Sequence, residues 1–569
     1  MSDFKWQWSS VDEIISVLDT IDRLTYLAVD VEIGGGTVVC IGLSWKHDQA
    51  ICIPFIDEIG PRYTFEEQNA LIQRLKSLFF DSLIVGQNFN HDKRWINLAF
   101  NIHVRCSFDT LIAEQVLNPG SDKDLNHLAS KYCNGYVPWK TNAKGWNIEK
   151  SHNDYQRLYE YNCKDAAYTR EVFKQQEKLL IDSNLMLMFN EQMYYQKCIY
   201  SMENRGLPVD RKVLTAKKRE STKALKAVLA DIENIAGEKL NPMSAVQVGN
   251  LLYKKLKLKK LKKPTAMDTL MRLRDKHEVI GKIIEYRNIV NFRKKFLDAR
   301  FDEDGRRRFE LNGCGDSAFR VTSGKGGLQH AMYQSRLDDS SAYRFMDIFL
   351  PDDGYIFTVI RYLRPEEYVI AWEVDDDNLK DRLLAGINLY DTLAEEFLSG
   401  RASESEAKHQ RKRYADIAER IVKGRSIRSI ALEMCVKDRD VLPMYNYIMY
   451  KHPAIEKWHW DVYAKLIGTK KVKNVYGYEL KWNDYLSGAL PTAIEWIVQS
   501  TIALHMTKVH IKLHLFYGLI PVIRTFDNQL FCRYRQNSLG LEEEIYSVMK
   551  EPIPYQKSLT MPMCIKKVD

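Results

Sequence analysis

Hydrophobic and polar positions in the first third of the chain follow two alternating patterns. From about residue 25 to 60, the runs YLAVDVEI, GTVVCIGLSW and QAICIPF are rich in β-branched residues and are separated by polar turns, which predicts a strand meander. Apolar residues at helical spacing follow in FEEQNALIQRLKSLF, then comes the apolar run SLIVG, and QRLYEYNCKDAAYTREVFKQQEKLL predicts a long helix. We therefore predict an α/β domain at residues 1–185.

The pattern changes twice further along the chain. Between about residue 186 and 300 it is almost entirely helical, so residues 186–310 are predicted to form an extended helical region. A turn-rich passage, FDEDGRRRFELNGCGDSAFRVTSGKGG, then marks a new unit. Its strand-like runs GYIFTVIRYL and IPVIRTFDNQLFCRY flank helices near 380–435 and 490–516, which predicts a mixed α+β domain at residues 311–569.

Length and composition exclude several classes of protein. The chain has 569 residues, more than the roughly 250–300 that one core can organise, so several domains are expected. Its 45% hydrophobic and 28% charged residues are typical of a globular protein, neither disordered nor membrane-embedded. No apolar run reaches the roughly 18 residues of a spanning helix, and MSDFKWQWSSVDEI lacks a signal-peptide pattern. The ten cysteines show no C-x-x-C pair, which argues against a zinc site and favours a reducing, cytoplasmic location.

The positive charge of the chain is modest but clustered. The formal net charge is +8, from 83 basic and 75 acidic residues, which suits a polyanionic partner without requiring one. Basic residues concentrate between Lys254 and Lys263 and between Lys408 and Arg428, as a surface that follows a phosphate backbone would. For the first run, a solvated helix face explains the same pattern, and both interpretations stay open.

Two acids in the first predicted strand suggest a metal site. Asp30 and Glu32 lie two residues apart, so their side chains project from the same face of the strand. Two carboxylates on one face of a buried strand repel each other and lose hydration unless a cation binds them. Taken alone, the pair also fits a strand end that reaches solvent.

Further carboxylates complete a set that can hydrolyse a phosphodiester. Asp92 follows an apolar run in GQNFNHDKRW, where a strand or loop gives way to a helix, and Tyr161 precedes Asp165 by four residues, on one helix face. Two-metal hydrolysis needs carboxylates that hold ions roughly 3.5–4 Å apart. We expect two Mg²⁺ or Mn²⁺ ions bound by Asp30, Glu32, Asp92 and Asp165, with Tyr161 orienting the attacking water.

The same residues carry a family resemblance. The order D-x-E, N-x-x-x-D (Asn88 to Asp92) and Y-x-x-x-D resembles the DEDD exonucleases of the tyrosine subclass, which have an RNase H-like fold. The segment FDTLIAEQVLNPGSDKDLNHLASKY is similar to the corresponding part of the proofreading domain of family A DNA polymerases. Val31 stands where Thr is common and His91 where Tyr usually precedes the acid. The resemblance implies a 3′→5′ exonuclease with Asn88 near the DNA; a decayed domain that keeps its acids is the alternative.

The remainder also resembles family A polymerases. The helix that enters their polymerase domain is similar to MYYQKCIYSMENRGLPVDRKVL, and their thumb is similar to LNPMSAVQVGNLLYKKLKL. An element of these polymerases that contacts the primer is similar to FRVTSGKGGLQ. The resemblance implies a helical thumb-like region at 186–310 and a palm and fingers at 311–569. It also implies DNA contacts by Arg320, Gln329, Arg411 and Gln499.

The motif that holds the polymerase metals departs from the family. The segment from GYIFTVIRYL to INLYDTLAEEF aligns without a gap, anchored by Tyr362 and Glu366, and Arg361 falls where the family has a metal-binding Asp. A guanidinium cannot bind Mg²⁺ and brings a positive charge to the place of the metals. The nearby acids Asp375 to Asp377 fall in the turn after the next helix, so we do not expect them to substitute.

Two further motifs are degenerate. In RKRYADIAERIVKG, Arg411 is followed by Ala415 and Glu419, where the family has a Lys and an aromatic residue that grip the incoming nucleotide. The last motif reads Phe526, Asp527, Asn528 instead of His-Asp-Glu. We predict that Asp527 forms an ion pair with Arg361.

These observations lead to three hypotheses about function. The first is a 3′→5′ DNA exonuclease fused to a polymerase-like domain that binds primer-template without nucleotidyl transfer. The second is an active family A polymerase with proofreading, and the third is a non-catalytic DNA-binding or replisome protein. Single-stranded and primer-template DNA, and other replication proteins, are the expected partners of a monomer in a bacterial or phage-infected cell. The architecture resembles the compact replication polymerases of bacteriophages; nucleotide binding and a preference for RNA stay open.

Overall fold

The computed structural model confirms an α/β domain followed by helical and mixed α+β regions. No helix among the described residues is long and apolar enough to span a membrane. The structure describes residues 3–47, 49–139, 155–259, 264–298, 301–324, 348–401, 403–434, 436–482, 485–517, 521–524, 529–535 and 541–568.

The N-terminal region is built on a six-stranded sheet in the order β1-β4-β3-β2-β7-β8. The predicted meander forms its antiparallel centre, whereas β7 and β8 add in parallel beside β2. A short hairpin of two strands, β5 and β6, with two residues each, follows β4. The strands are β1 Asp3–Lys5, β2 Tyr26–Gly34, β3 Thr37–Lys46, β4 Gln49–Pro54, β5 Ile56–Asp57, β6 Gly60–Pro61, β7 Leu83–Gly86 and β8 Cys106–Asp109.

Helices cover this sheet, and local sequence fixes where they begin. The second helix starts at a capping box, because the Thr64 side chain accepts the Glu67 N–H while the Glu67 carboxylate accepts the Thr64 N–H. The predicted long helix is the sixth, and it packs across β2, β3 and β4. The helices are α1 Val11–Leu18, α2 Phe65–Asp81, α3 Asn90–Phe100, α4 Thr110–Leu117, α5 Leu125–Tyr132 and α6 Tyr155–Asp182.

A glycine lets α6 approach the sheet closely. Gly42 on β3 pairs with Asp30 on β2, and a Cβ at Gly42 would lie 2.7 Å from the backbone O of Asn162 on α6. No larger residue fits there without movement of α6. This close approach brings α6 beside the acids of β2.

The predicted helical region is largely helical, with short non-helical connections between its helices. Helices α8 to α11 share a core of their own, and strand β9 (Leu207–Pro208) pairs with β10 (Arg306–Arg307). Two π-helical turns, at Asn250–Lys255 and Arg293–Leu297, extend the helices. The helices are α7 Met186–Arg205, α8 Arg211–Ala236, α9 Ala245–Gly249, α10 Met267–Leu273 and α11 Glu278–Phe292, with a 3₁₀ turn at Arg274–Lys276.

The C-terminal region combines an antiparallel sheet with many helices, as predicted. Its four main strands lie in the order β16-β17-β13-β18, with β13 Tyr355–Tyr362, β16 Pro521–Arg524, β17 Gln529–Arg535 and β18 Met563–Val568. Two small hairpins pair β11 Leu311–Asn312 with β12 Thr322–Ser323, and β14 Lys471–Lys473 with β15 Glu479–Lys481. The helices are α12 Pro365–Val374, α13 Asp377–Leu384, α14 Leu389–Leu398, α15 Glu404–Val422, α16 Ile427–Glu433, α17 Asp438–Lys451, α18 Pro453–Thr469, α19 Ala489–Tyr517 and α20 Leu541–Met549.

The exonuclease-like and polymerase-like parts share buried contacts. Phe108 of β8 packs on Phe189 of α7 with ring centroids 4.5 Å apart, and Ile112 of α4 belongs to the same apolar cluster. The Gln115 side chain donates to the backbone O of Asp316 at 2.9 Å. The two parts therefore pack against each other as well as being joined along the chain. The domain boundaries near 185 and 310 stay predictions.

Candidate active site

Three of the four predicted acids converge between the sheet and α6. Asp30 and Glu32 project from β2, and Asp165 projects from α6 towards them. One carboxylate oxygen from each residue lies within 4.8 Å of the other two. Asp165 is buried and the other two are half-buried. This geometry is compatible with a divalent cation held by three carboxylates.

The fourth acid, Asp92, stands directly behind this group. It is the third residue of α3, after a strand and a short loop as predicted, and only 6% of it is exposed. Its Oδ1 accepts the N–H of Val31, the residue between Asp30 and Glu32, at 3.0 Å. Burial and the negative charge of Asp30 raise the pKa of Asp92 well above its ordinary value. A bound cation would relieve this repulsion, so the donor set fits the predicted metal site.

The helix that carries Asp165 also contributes two polar neighbours. The Tyr161 hydroxyl is hydrogen-bonded to Asp165, and burial together with the charges of Asp165, Glu32 and Asp30 raises the pKa of Tyr161. Tyr161 is therefore a neutral phenol at ordinary pH. The Asn162 amide donates to Asp30 Oδ2 at 2.8 Å. Asn162 was not predicted, although its position three residues before Asp165 on a helix could have indicated it.

Trp139 is a second residue that sequence reasoning missed. Its indole Nε1 donates to Asp165 Oδ1 at 2.5 Å, and its ring stacks on Tyr168 of α6 with centroids 4.1 Å apart. Trp139 is buried and lies 26 residues before Asp165. No local pattern in the sequence connects two residues so far apart.

These acids line a cleft of about 730 Å³. Asn88 lies in its wall with a φ of 55°, and its backbone N–H donates to Asp109 Oδ1 at 3.0 Å. Lys123 contributes a positive charge, and burial lowers its pKa. Asn312 and Cys314 of the polymerase-like part close another side. The cleft can therefore contact a polar substrate beyond the acids.

The predicted polymerase positions are only partly described. Arg361 is exposed near the end of β13, next to the buried Tyr362, whose hydroxyl contacts His505 Nε2 at 2.9 Å. The predicted ion pair of Arg361 with Asp527 stays a prediction, because Asp527 lies outside the described residues. Two other predicted positions, Asn528 and Gln329, also lie outside them. Asp375 ends α12 in a left-handed conformation and contacts Lys380, Asp376 caps the next helix, and Asp377 is the first residue of that helix, so only part of the Asp375–Asp377 run lies in the predicted turn.

A charged network connects α12 and α19 to the end of α15. Glu366 accepts the Gln499 amide at 2.7 Å and the Lys423 ammonium at 2.6 Å, and Lys423 also contacts Glu419 at 2.8 Å. Lys423 belongs to the basic stretch between Lys408 and Arg428, and its two carboxylate partners are a finding of the structure. Ala415, one turn before Glu419 on α15, supplies only a methyl group.

The predicted DNA-contacting arginines are paired with acids. Arg411 lies 3.2 Å from Asp391 and 2.8 Å from Glu395, and lines a shallow cleft of about 400 Å³ together with Ala415 and Glu419. Arg320 contacts Asp316 at 2.9 Å. Both side chains remain partly exposed, so their predicted role in DNA binding is a proposal.

Two family models match the chain, one for each part. The model described as DNA polymerase family A matches residues 211–515, more than half of the chain. The chain belongs to DNA polymerase family A. A second model, described as 3′-5′ exonuclease, matches residues 9–181 of this family member.

Individual relatives agree with this assignment. DNA polymerase I of Borreliella burgdorferi is 26% identical over 388 residues, which cover 64% of this chain and 41% of the relative. DNA polymerase I of Pseudomonas aeruginosa is 21% identical over 477 residues, which cover 80% of the chain and 52% of the relative. The chain thus spans about half the length, or less, of these curated relatives.

A solved structure shows the same fold. The POL domain of Pol1 from M. smegmatis, in complex with DNA primer-template and dNTP, matches with a TM-score of 0.76. The match covers 99% of this chain and 98% of that structure at 15% sequence identity. The likeness extends over both the exonuclease-like and the polymerase-like parts.

Proposed function

We propose that this family A polymerase is a 3′→5′ exonuclease acting on DNA, with a polymerase-like domain that holds primer-template and does not transfer nucleotides. The observation that carries the proposal is the convergence of Asp30, Glu32 and Asp165 with Asp92 behind them. Two Mg²⁺ or Mn²⁺ ions, held by these four acids, would activate a water and stabilise the leaving oxygen. The family's use of divalent metals agrees with this donor set.

The surrounding side chains have separate roles in this proposal. Asn162 fixes the orientation of the Asp30 carboxylate, and the Val31 N–H fixes that of Asp92. The neutral Tyr161 hydroxyl, bonded to Asp165, is placed to hydrogen-bond the attacking water. Lys123 and Asn88 in the cleft wall would contact the 3′-terminal nucleotides of the strand.

Two arguments support the loss of nucleotidyl transfer. The family resemblance implies that Arg361 takes the position of a metal-binding acid, and a guanidinium cannot bind a metal ion in its place. Lys423 is neutralised by Glu366 and Glu419, so this part of the helix offers an acid-rich surface to a triphosphate. The relative solved with DNA primer-template and dNTP supports primer-template as the DNA that the domain holds.

A labelled primer-template tests this proposal. We expect Mg²⁺ or Mn²⁺ to shorten the primer whether or not nucleotides are present, and EDTA to stop the reaction. Asp30→Ala and Asp92→Ala should each abolish shortening, because each removes a carboxylate from the metal-binding set. Asp22→Ala is the matched control, since Asp22 is an exposed acid of the same domain.

The same assay separates the alternatives. Templated extension by the wild-type chain would contradict the loss of nucleotidyl transfer and leave the exonuclease assignment standing. Binding of primer-template without any shortening in either metal would contradict the exonuclease and favour a non-catalytic DNA-binding role.

A further inference from the structure

A second cleft, of about 350 Å³, lies where the exonuclease-like part meets α7. It contains none of the four acids proposed to bind metal. Its apolar wall is formed by Phe89, Val104, Ile112 and Met193, which come from α3, β8, α4 and α7 or the residues next to them. The volume is at the lower end of the roughly 300–1,000 Å³ of small-molecule pockets, too small for a duplex.

Cations surround this apolar wall. Lys93, Arg105 and Lys197 line the cleft, and the Lys93 ammonium lies 4.2 Å from the ring centroid of Tyr200. Within the part of the chain that the structure describes, these three cations form no ion pair with a carboxylate. Burial lowers the pKa of Lys197, and the like charge of Arg105 lowers it further. Such a cluster is a favourable place for an anion.

The acid in the lining, Asp109, is turned towards backbone donors and not towards these cations. Both Asp109 carboxylate oxygens accept backbone N–H groups, from Asn88 at 3.0 Å, Phe89 at 2.8 Å and Leu111 at 2.9 Å. The lining therefore combines three cations with one carboxylate that is bound to the backbone, which leaves a net positive charge for a ligand.

Two amides add hydrogen-bonding capacity beside the apolar wall. The Asn90 amide contacts Gln196 at 3.4 Å, both to the backbone O and to the side-chain Oε1. These contacts are long, so a ligand with its own donors and acceptors can replace them. Apolar surface, amides and cations together match a planar base joined to a phosphate.

We propose that this cleft binds a single nucleotide, with its phosphate among Lys93, Arg105 and Lys197 and its base against the apolar wall. Asn90 and Gln196 would hydrogen-bond the edge of the base. A free mononucleotide and one nucleotide of a single strand share this chemistry. The proposal does not depend on the exonuclease function, because its residues are separate from the acids.

Two measurements test this proposal: hydrogen–deuterium exchange of the chain with and without a probe, and the affinity of the chain for that probe. Both are made in EDTA, which prevents metal-dependent binding at the acids. The probes are dAMP, a single-stranded oligothymidylate and inorganic phosphate. We expect dAMP or the oligonucleotide to protect segments 101–112 and 193–205. R105E/K197E should weaken the binding of whichever probe gives protection by about 10-fold or more, because the two substitutions reverse two charges proposed to contact the phosphate.

The control is K76E/K174E, which makes the same charge change at two exposed lysines of α2 and α6. R105M/K197M, which keeps the apolar stems, serves if the charge reversal prevents folding. Protection by dAMP identifies a free nucleotide as a ligand, and protection by the oligonucleotide alone identifies a strand-borne one. No protection by either, equal binding by the cleft and control variants, or equal protection by inorganic phosphate would overturn the proposal.

Discussion

At the scale of single residues, Trp139 holds the acid that α6 contributes to the site. Its indole N–H donates to Asp165 while its ring stacks on Tyr168. Groups that orient a metal-binding carboxylate typically change metal affinity or activity by about 10- to 100-fold when they are removed.

We therefore expect Trp139→Phe to lower the exonuclease rate by about 10-fold or more and to raise the Mn²⁺ concentration needed for half-maximal rate. The phenyl ring keeps an aromatic face against Tyr168 and loses the donor together with one ring of the indole. Tyr168→Phe is the control, because it removes a hydroxyl from the same stack and leaves the Asp165 contact intact. A normal Mn²⁺ dependence in Trp139→Phe would show that the indole N–H has no positioning role.

Glu203, at the end of α7, makes a pH-dependent contribution to stability. Burial raises its pKa to about 7, despite the Leu311 N–H, which donates at 2.6 Å, and the charge of Arg94; Glu310 raises it further. A raised pKa means that the folded state binds the proton more tightly, so stability is lost as pH rises from about 4.5 through 7.

Glu203→Gln is neutral at every pH and can still accept the Leu311 N–H. We expect it to be more stable than wild type at pH 8, by up to about 3 kcal/mol, and equal to it near pH 4.5. Thermal unfolding midpoints measured across this range would show the difference. A constant difference between the two proteins would contradict the assignment of the titration to Glu203.

Sequence analysis could identify those site residues whose spacing along a single strand or helix places them on the same face. Asp30 and Glu32 share a strand face, and Tyr161 and Asp165 share a helix face, so their adjacency follows from spacing alone. Trp139 reaches Asp165 only through the tertiary fold. Lys423 and Glu366 meet across two helices, 57 residues apart, and no local pattern encodes their contact.

At the scale of elements, the distance between α6 and β3 decides whether Asn162 can reach Asp30. Gly42→Ala would place a Cβ 2.7 Å from the Asn162 backbone O, so α6 must move. We expect a stability loss of about 1–3 kcal/mol and a lower exonuclease rate. Gly281→Ala on α11 is the control, because a Cβ there meets nothing within 4 Å and should be neutral or stabilising. Equal rates in both variants, relative to wild type, would show that the close packing has no role in the site.

The sequence predicted helices and strands correctly where its hydrophobic residues recur at a regular spacing. The meander of β2 to β4 and the long helix α6 were predicted from alternation and helical spacing. Helices α17 and α18 lie between the two groups of helices that the pattern indicated. Pro443 lies inside α17, where a sequence pattern indicates a break, and Pro453 is the first residue of α18. The two-residue strands β9 and β10 carry too few residues to show any period.

At the scale of the whole molecule, the shared core makes the exonuclease site depend on the polymerase-like part. Asn312 and Cys314 line the acid cleft, and Phe189 of α7 fills space against Phe108. A cavity at Phe189 should therefore loosen the exonuclease-like part, although Phe189 touches none of its acids.

Phe189→Ala tests this dependence against Phe296→Ala. Both side chains are 1% exposed, but Phe296 belongs to a separate core cluster around Leu207 and Phe349. Each truncation should cost about 3–5 kcal/mol locally. We expect only Phe189→Ala to lower the temperature at which exonuclease activity is lost, because only its cavity borders the exonuclease-like part. The same loss in both variants would mean that the chain unfolds as one unit, and no loss in Phe189→Ala would mean that the exonuclease-like part is stable by itself.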